Sequence, residues 1–223
     1  MTTEGIAEVS ARFNRVAAGW DSNPARVELA KGVAEAIQKA VPISQDMAIL
    51  DFGAGTGLLT LGLLPYVAHV TAVDASDEML RVLADKLKSL GIENVKTLHC
   101  DIGKEPFPEA AYSLVVSSMV LHHIVDVSRT LILLRRCLRP GGWIALADLD
   151  SEDGSFHPDP AGVFHKGFDR GEICKWLGSA GFVDVSVQNA YKMRRQSGGG
   201  QSREYPIFLA TGRVDQRQPR FFT

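Results

Sequence analysis

The sequence lacks the features that mark several large classes of protein. Its 223 residues include only three cysteines, Cys100, Cys137 and Cys174, which are odd in number and far apart. This arrangement argues against a disulfide framework and is typical of reduced thiols, so we expect a cytoplasmic protein. No apolar run reaches the roughly 18–20 residues that a membrane span requires. The first residues also lack the basic and apolar stretches of a secretory signal.

An excess of charge of one sign is absent too. Lys and Arg total 24 against 26 Asp and Glu, which gives a net charge of −2. The chain has no basic stripe and no added nucleic-acid-binding domain, so we expect no nucleic-acid partner. The expected ligand is therefore a small molecule, and the oligomeric state does not follow from the composition.

What the sequence does contain is an alternation of apolar runs and amphipathic stretches. Short apolar runs predict five buried strands, at residues 47–50, 69–74, 95–100, 114–118 and 143–149. Helical spacing is found between most of them, at residues 58–64, 77–90 and 127–138. This order is typical of an α/β fold with a parallel sheet and right-handed crossovers. Two last strands, at 183–187 and 207–211, predict an antiparallel pair at the sheet edge, joined through a polar segment, 194–203, that we expect to be flexible.

The first strand leads into a glycine-rich turn, 51–57, with the sequence Asp-Phe-Gly-Ala-Gly-Thr-Gly. Such a turn brings backbone N–H groups and a helix N-terminus to one edge of the sheet, and glycine lets a ligand approach the backbone. The dinucleotide fingerprint Gly-x-Gly-x-x-Gly does not fit, because its third glycine falls on Leu58. The carboxylate of Asp51 would repel a diphosphate, and no Gly-Lys-Ser/Thr of a P-loop follows.

Acidic residues follow the next two strands. Asp74 ends the second strand, and Asp101 comes directly after the third. Ligands of open α/β sheets bind outside the carboxyl ends of the strands. We therefore expect both acids to line the same site as the glycine-rich turn.

The turn and the acids resemble the motifs of the class I S-adenosylmethionine (SAM)-dependent methyltransferases. The resemblance covers residues 48–212. It implies a Rossmann-like seven-stranded sheet in the order 3-2-1-4-5-7-6, with strand 7 antiparallel and helices on both faces. It also implies that SAM is the cofactor, that S-adenosyl-L-homocysteine is the product, and that the methyl group passes to a small-molecule acceptor by direct in-line displacement. An inactive SAM- or S-adenosylhomocysteine-binding protein on the same fold and a NAD-dependent oxidoreductase are the alternatives.

The resemblance also implies which residues contact the cofactor. Asp74 corresponds to the acid that binds the ribose hydroxyls, and an ionised carboxylate can accept both of them. Asp101-Ile102 corresponds to the adenine position, and Ser117-Ser118 to the strand end beside the methionine portion. The implied cofactor-binding residues are Trp20, Asp51, Gly53, Ala54, Gly55, Thr56, Gly57, Asp74, Ala75, Met79, Asp101, Ile102, Ser117 and Ser118.

A histidine pair, His122-His123, follows the fourth strand and is the best position for a general base. Histidine titrates near neutral pH, and a base is needed only if the acceptor enters protonated. Such a pair recurs in small-molecule methyltransferases that resemble the quinone-biosynthesis type. The alternative is that one of the two packs under the cofactor or caps a helix.

The resemblance suggests one methyltransferase domain over residues 1–223. Two helices within residues 1–41 are expected to form a lid over a SAM-binding core, 45–212, and residues 213–223 a poorly ordered tail. Phe13, Trp20 and Asp21 are plausible contacts of the lid, although simple packing against the sheet is an equal alternative.

The irregular loop 150–166 is expected to wall the acceptor site together with the lid. His157, Asp159 and His165 in or near this loop have the side chains of metal ligands, but their spacing matches no strong template, so we expect no metal. Three arginines near the last strands could face an acidic substrate, although a solvated loop is the favoured interpretation: Arg194, Arg195 and Arg203.

Overall fold

The computed structural model of the chain describes residues 3–100, 107–196 and 202–217. The expected adenine contacts, Asp101 and Ile102, lie outside the described residues. Within the described ranges, helices α1 to α6 span Thr3–Val16, Pro24–Ala40, Leu58–Leu63, Asp77–Leu90, Val127–Cys137 and Arg170–Ser179. Strands β1 to β7 span Ala48–Phe52, His69–Asp74, Val95–His99, Tyr112–Ser118, Leu138–Leu149, Phe182–Gln196 and Ser202–Val214. Short 3-10 helices follow α1, α3 and β4 at Ala17–Ser22, Leu64–Tyr66 and Leu121–His123.

The strands form one sheet in the order β3-β2-β1-β4-β5-β7-β6. Strands β1 to β5 pair in parallel, and β7 pairs antiparallel with both β5 and β6. The predicted sheet order and the single reversed strand are therefore confirmed. The chain leaves β1 for β2 on one side and returns to β4 on the other, so a crevice opens at the carboxyl ends of these central strands.

Helices cover both faces of the sheet, which explains why the central strands are apolar throughout. Leu50 and Phe52 of β1 pack on one face, in a core cluster with residues of α5 and α6. Ile49 packs on the opposite face, in a cluster with residues of α2 and α3. Because β1 is fixed by packing on both sides, the turn that follows it is held firmly.

Side-chain caps fix the starts of the helices that border the crevice. The side chain of Asn23 accepts a hydrogen bond from the backbone N–H of Ala25 at 3.0 Å, at the start of α2. The hydroxyl of Ser76 accepts one from the N–H of Met79 at 3.2 Å, at the start of α4. Each bond satisfies an N–H group that has no partner inside the helix. The cap at Ser76 lets α4 begin with only two residues between it and the end of β2.

The prediction of a flexible segment at residues 194–203 was wrong at both ends of that segment. Strand β6 continues to Gln196 and β7 begins at Ser202, so that Arg194 pairs with Glu204 and Arg195 with Arg203. The physical reason is burial of alternate residues along the hairpin: Met193 is almost completely buried, whereas its neighbour Arg194 is exposed. This extension brings Arg195 to the central crevice.

Residues 138–142, which precede the predicted fifth strand, are part of β5 in the structure. Tyr112 pairs with Leu138, and the next pair is Leu114 with Trp143, so residues 139–142 bulge out of the ladder. Among the described residues, no helix has the length and apolar character to cross a membrane.

Candidate functional site

A cavity of about 450 Å³ lies in the crevice at the carboxyl ends of β1, β2 and β4. Its size is within the range of roughly 300–1,000 Å³ that small-molecule sites occupy. One end, the glycine end, is lined by residues of the segment 51–56 and by Asp74 at the end of β2, whereas the expected contact Gly57 does not line the cavity. The other, the histidine end, consists of His122, His123 and His157 with the side chains around them.

The glycine-rich turn is shaped by two different demands on its glycines. Gly53 has a φ of +76°, and a Cβ atom there would lie 2.3 Å from a methyl group of Val120. Gly55 has a φ of +55°, but its Cβ position meets only Met79 Sδ, at 4.0 Å. Gly53 is thus required by packing inside the protein, whereas Gly55 faces open space that a ligand can fill.

Three backbone N–H groups of this turn have partners within the protein. The N–H groups of Gly53 and Ala54 both donate to the carbonyl of Val73, at 2.8 and 2.9 Å. The N–H of Gly55 donates to Asp74 Oδ2 at 2.7 Å. The reason is that buried N–H groups need partners whether or not a ligand is present. At these three residues the turn therefore offers a ligand shape and open space rather than free donors.

Asp74 is the orienting acid of the glycine end. Its Oδ1 accepts the N–H of Ser76 at 2.8 Å and its Oδ2 accepts the N–H of Gly55. Burial raises the pKa of Asp74 above its ordinary value, and the backbone hydrogen bonds oppose this rise. Each carboxylate oxygen has a second lone pair, so the fixed carboxylate can accept two more hydrogen bonds from a diol.

Asp51 is a buried acid that also lines the cavity. Its Oδ2 accepts the hydroxyl of Thr60 at 2.6 Å. Burial raises the pKa of Asp51 to about 7, with a smaller contribution from the charge of Asp74. A cation in the cavity would favour the ionised form of this carboxyl group.

The remaining residues expected at the glycine end divide into two groups. Ala75, Met79, Trp20 and Ser118 line the cavity. Ser117 does not, because its hydroxyl donates to the carbonyl of Phe52 at 2.7 Å and ties β4 to β1.

The N-terminal segment lies across the top of the glycine end. Ser10 donates to the carbonyl of Ala75 at 2.6 Å, from α1. The hydroxyl of Thr56 donates to Asp21 at 2.6 Å, and Asp21 belongs to the 3-10 helix that follows α1. This hydroxyl therefore already has a partner within the protein. Asp21 also forms an ion pair with Lys86 of α4, at 2.6 Å.

Aromatic rings connect this segment to the histidine end. The ring of Phe13 packs edge-on against Trp20, at 5.6 Å between centroids, and against His123, at 5.2 Å. All three side chains line the cavity. The expected contacts Phe13 and Trp20 therefore lie between the two ends of the cavity.

The histidine pair is held by hydrogen bonds that fix which ring nitrogen is available. His122 is fully buried, and its Nδ1 lies 2.7 Å from Asp148 Oδ1. His123 Nδ1 lies 2.6 Å from the carbonyl oxygen of Gly162, so Nδ1 is the donor in this contact. In the neutral ring, Nε2 of His123 is then the free acceptor. Burial, followed by the charge of His122, lowers the pKa of His123 to about 4.

His157 joins this pair, which the sequence did not predict. Its ring centroid lies 4.9 Å from that of His122 and 5.7 Å from that of His123. Its Nε2 atom is buried and has no hydrogen-bond partner among the described residues. Burial is the largest cause that lowers its pKa to about 3. His165, grouped with it in the sequence analysis, instead bonds the carbonyl of Ile124 at 2.9 Å.

The three histidines each bring one ring nitrogen into a group whose members lie within 4.8 Å of one another. Ring nitrogens around a tetrahedral zinc ion would lie about 3.3 Å apart, given Zn–N bonds of about 2.0 Å. The positive charge of Arg12 lowers the pKa of both His123 and His157, and the same charge would oppose a bound cation. The group is therefore better suited to proton transfer or to a polar ligand than to a metal.

Asp148 is a functional candidate that sequence reasoning missed. It is fully buried in β5, and its Oδ1 also accepts the backbone N–H of Leu149 at 2.7 Å. The charge of His122 and these hydrogen bonds lower its pKa, against the opposing effect of burial. The available signal was an acid inside the otherwise apolar run 143–149.

An open, doubly wound sheet with a cavity at its switch point and an acid at the end of β2 defines a Rossmann-like, nucleoside-binding class of protein. Comparison with known proteins specifies the class further. Residues 50–146 match the family model described as a methyltransferase domain. Over these residues the chain is similar to the class I SAM-dependent methyltransferases.

Individual relatives agree with this family. An uncharacterized methyltransferase of Schizosaccharomyces pombe is 33% identical over 161 residues, which cover 66% of this chain and 52% of that protein. A demethylmenaquinone methyltransferase of Clavibacter sepedonicus is 30% identical over 164 residues, which cover 73% of this chain and 63% of that protein. The chain therefore spans between half and two thirds of the length of these two relatives.

The fold has similar solved counterparts. The crystal structure of a SAM-dependent methyltransferase from Aquifex aeolicus superposes with a TM-score of 0.65 at 22% identity. The match covers 92% of this chain and 98% of that one. The two chains therefore share the whole Rossmann-like architecture.

Proposed function

We propose that this chain transfers a methyl group from SAM to a small-molecule acceptor. The observation that carries the proposal is the continuity of one cavity from Asp74 at the glycine end to His123 at the histidine end. A cofactor bound at the first end and an acceptor bound at the second would then meet inside one continuous cavity. Holding two reactants in line supplies on the order of 7–11 kcal/mol of barrier reduction.

The residues of the glycine end fit SAM in three respects. The fixed carboxylate of Asp74 can accept the two ribose hydroxyls. The open position at Gly55 leaves room for a ligand against the backbone. Asp51 is a buried acid with an elevated pKa, so it can pair with the ammonium group of the methionine portion. The methyl group of SAM is bonded to a positive sulfonium and is already activated for transfer.

The chain's own residues would position the reactants, exclude water and accept a proton. The α1 helix and the loop after β5 are joined above the cavity, because Arg12 donates to the carbonyl of Ala161 at 2.5 Å. This closure favours a small acceptor over a macromolecule, and we infer that the N-terminal helices act as a lid. Nε2 of His123 is the proposed base for an acceptor that enters protonated.

Binding and turnover measured separately test the proposed function. We expect titration calorimetry to show binding of SAM and S-adenosylhomocysteine but no binding of NAD. A methyl-release assay over a panel of phenols, alcohols, amines and carboxylic acids should then detect transfer. Binding without transfer to any acceptor would favour an inactive SAM-binding protein, and the absence of SAM binding would refute the assignment altogether.

A further inference from the structure

Three arginine side chains from different parts of the chain converge on the cavity. Arg12 comes from α1, Arg26 from α2 and Arg195 from the extended part of β6. We call these three residues the arginine group. Their charges also act on one another and on the histidines. Burial is the largest cause that lowers the pKa of Arg26, and the positive charge of Arg195 is the second. Arg12 and Arg195 both contribute to the low pKa of His157.

Among the described residues, the hydrogen-bond partners of the arginine group are all neutral carbonyls. Arg12 donates to the carbonyls of Asp159 and Ala161, at 3.2 and 2.5 Å. Arg26 donates to the carbonyl of Trp20 at 3.2 Å, and Arg195 donates to the carbonyl of Phe156. Across residues 3–100, 107–196 and 202–217, no member of the group forms an ion pair.

Several arginines elsewhere in the chain are placed differently. Exposed or half-buried arginines of the same hairpin and its surroundings are paired with acids, as Arg194 with Glu204 at 2.8 Å and Arg203 with Asp153 at 2.7 Å. The negative charge of Asp21 raises the pKa of Arg26, but Asp21 already forms an ion pair with Lys86. The cavity thus concentrates positive charge that forms no ion pair within the described part of the protein, although partly buried charges are costly without a counter-charge.

Aromatic rings hold two of these guanidinium groups in fixed planes. The Cζ atom of Arg26 lies 3.7 Å from the ring centroid of Trp20, and that of Arg195 lies 4.3 Å from the ring centroid of Phe156. A guanidinium group carries five N–H donors in one plane, and a stacked face leaves its edge available. Such an edge matches the paired oxygens of a carboxylate or a phosphate.

We propose that the methyl acceptor carries an anionic oxygen group, a carboxylate or a phosphate, that binds to Arg12, Arg26 and Arg195 beside the three histidines. This inference rests on the proposed function, because it assigns the substrate class of the same cavity. The anionic group provides the counter-charge that the arginine group lacks. The acceptor atom then lies on the part of the molecule that reaches toward the glycine end.

The test uses the full chain saturated with S-adenosylhomocysteine and three probes of similar shape: benzoate, phenyl phosphate and benzyl alcohol. We expect one or both anions to bind at least tenfold more tightly than the neutral alcohol, and the preferred anion distinguishes a carboxylate from a phosphate. Arg195→Gln should weaken binding of the preferred anion about tenfold or more, because a charge-assisted hydrogen bond is lost. Arg195→Lys, which keeps the charge but loses the planar fork, should restore part of the affinity.

Arg194→Gln is the matched control, because Arg194 is the exposed neighbour on the same strand. This variant should bind the anion as the unmodified chain does, and all variants should bind S-adenosylhomocysteine equally. Loss of S-adenosylhomocysteine binding in the unmodified chain would refute the proposed function itself. Normal S-adenosylhomocysteine binding with no preference for either anion, or with equal anion affinity in Arg195→Gln, would overturn the anionic acceptor alone.

Discussion

The glycine end and the histidine end of the cavity are constructed from the chain in opposite ways. The glycine end comes from short, contiguous segments that follow β1 and β2, and its polar groups already bond one another. The histidine end combines side chains of α1, β6, the segment after β4 and the loop after β5. Among the described residues, Nε2 of His157 has no hydrogen-bond partner there, and the arginine group forms no ion pair. The first end is thus preformed for a fixed ligand, whereas the second is completed by its ligand.

The strongest way to break this contrast is to crowd the glycine end. Gly53→Ala places a Cβ atom 2.3 Å from a methyl group of Val120, at a φ of +76°. Overpacking and positive φ together should lower the free energy of unfolding by about 2–5 kcal/mol. Chemical denaturation measures this change.

Gly55→Ala is the matched variant, because its new Cβ atom meets only open space near Met79. Its structural cost is limited to the strain of an alanine at a positive φ, so the free energy of unfolding should fall by about 1–2 kcal/mol. SAM binding should weaken as well, because the new Cβ atom occupies ligand space. Equal destabilisation by the two substitutions would contradict the distinction between a packing glycine and a ligand-facing glycine.

His123→Ala tests the histidine end. For an acceptor that enters protonated, the rate of methyl transfer should fall about 10²-fold, the lower end of the range for general bases. The lower end applies because a pKa of about 4 makes His123 neutral but only weakly basic at pH 7. Single-turnover kinetics measures the step, and calorimetry should show unchanged SAM affinity. A parallel loss of SAM affinity would indicate that His123 supports the cofactor instead.

Asp74→Ala tests the ribose assignment at the glycine end. SAM binding should weaken by about 1.5–3 kcal/mol, the usual scale for hydrogen bonds to a charged group. Asp85→Ala is the control, because Asp85 is an exposed acid of α4 that pairs with Arg81. Calorimetry on both variants should show a loss for the first and none for the second. Unchanged affinity in Asp74→Ala would remove the acid from the cofactor site.

Local patterns in the sequence predicted the strands and the residues of the glycine end, whereas the sheet order came from the family resemblance. Apolar runs mark the strands, and Asp51 and Asp74 stand where those strands end. What the local signals did not reveal is how the N–H groups of Gly53 and Gly55 are used, since their partners, Val73 and Asp74, belong to a neighbouring strand.

The histidine end was predicted only in part, because its members meet through tertiary contacts. His122 and His123 were visible as a pair, but their approach to His157 depends on the path of the loop after β5. Arg195 was assigned to a flexible segment, since three nearby glycines obscured the alternation that extends β6. No spacing in the sequence connects Arg12 with Arg195, whose elements adjoin only in the folded chain.

The smallest expected effect concerns the proton on Asp51, at the glycine end of the cavity. With a pKa of about 7, this carboxyl group is roughly half protonated at pH 7 in the ligand-free protein. An ammonium group beside it favours the ionised form, so SAM binding should lower the pKa and release about half a proton at pH 7. It follows that SAM affinity is fully present well above pH 7 and declines as the pH falls through 7, by at most tenfold per pH unit.

Calorimetry in buffers of different ionisation enthalpy measures the released protons. Adenosine has no ammonium group and should release none, and Asp51→Asn should abolish the release with SAM. Equal proton release by SAM and adenosine would place the ammonium group away from Asp51.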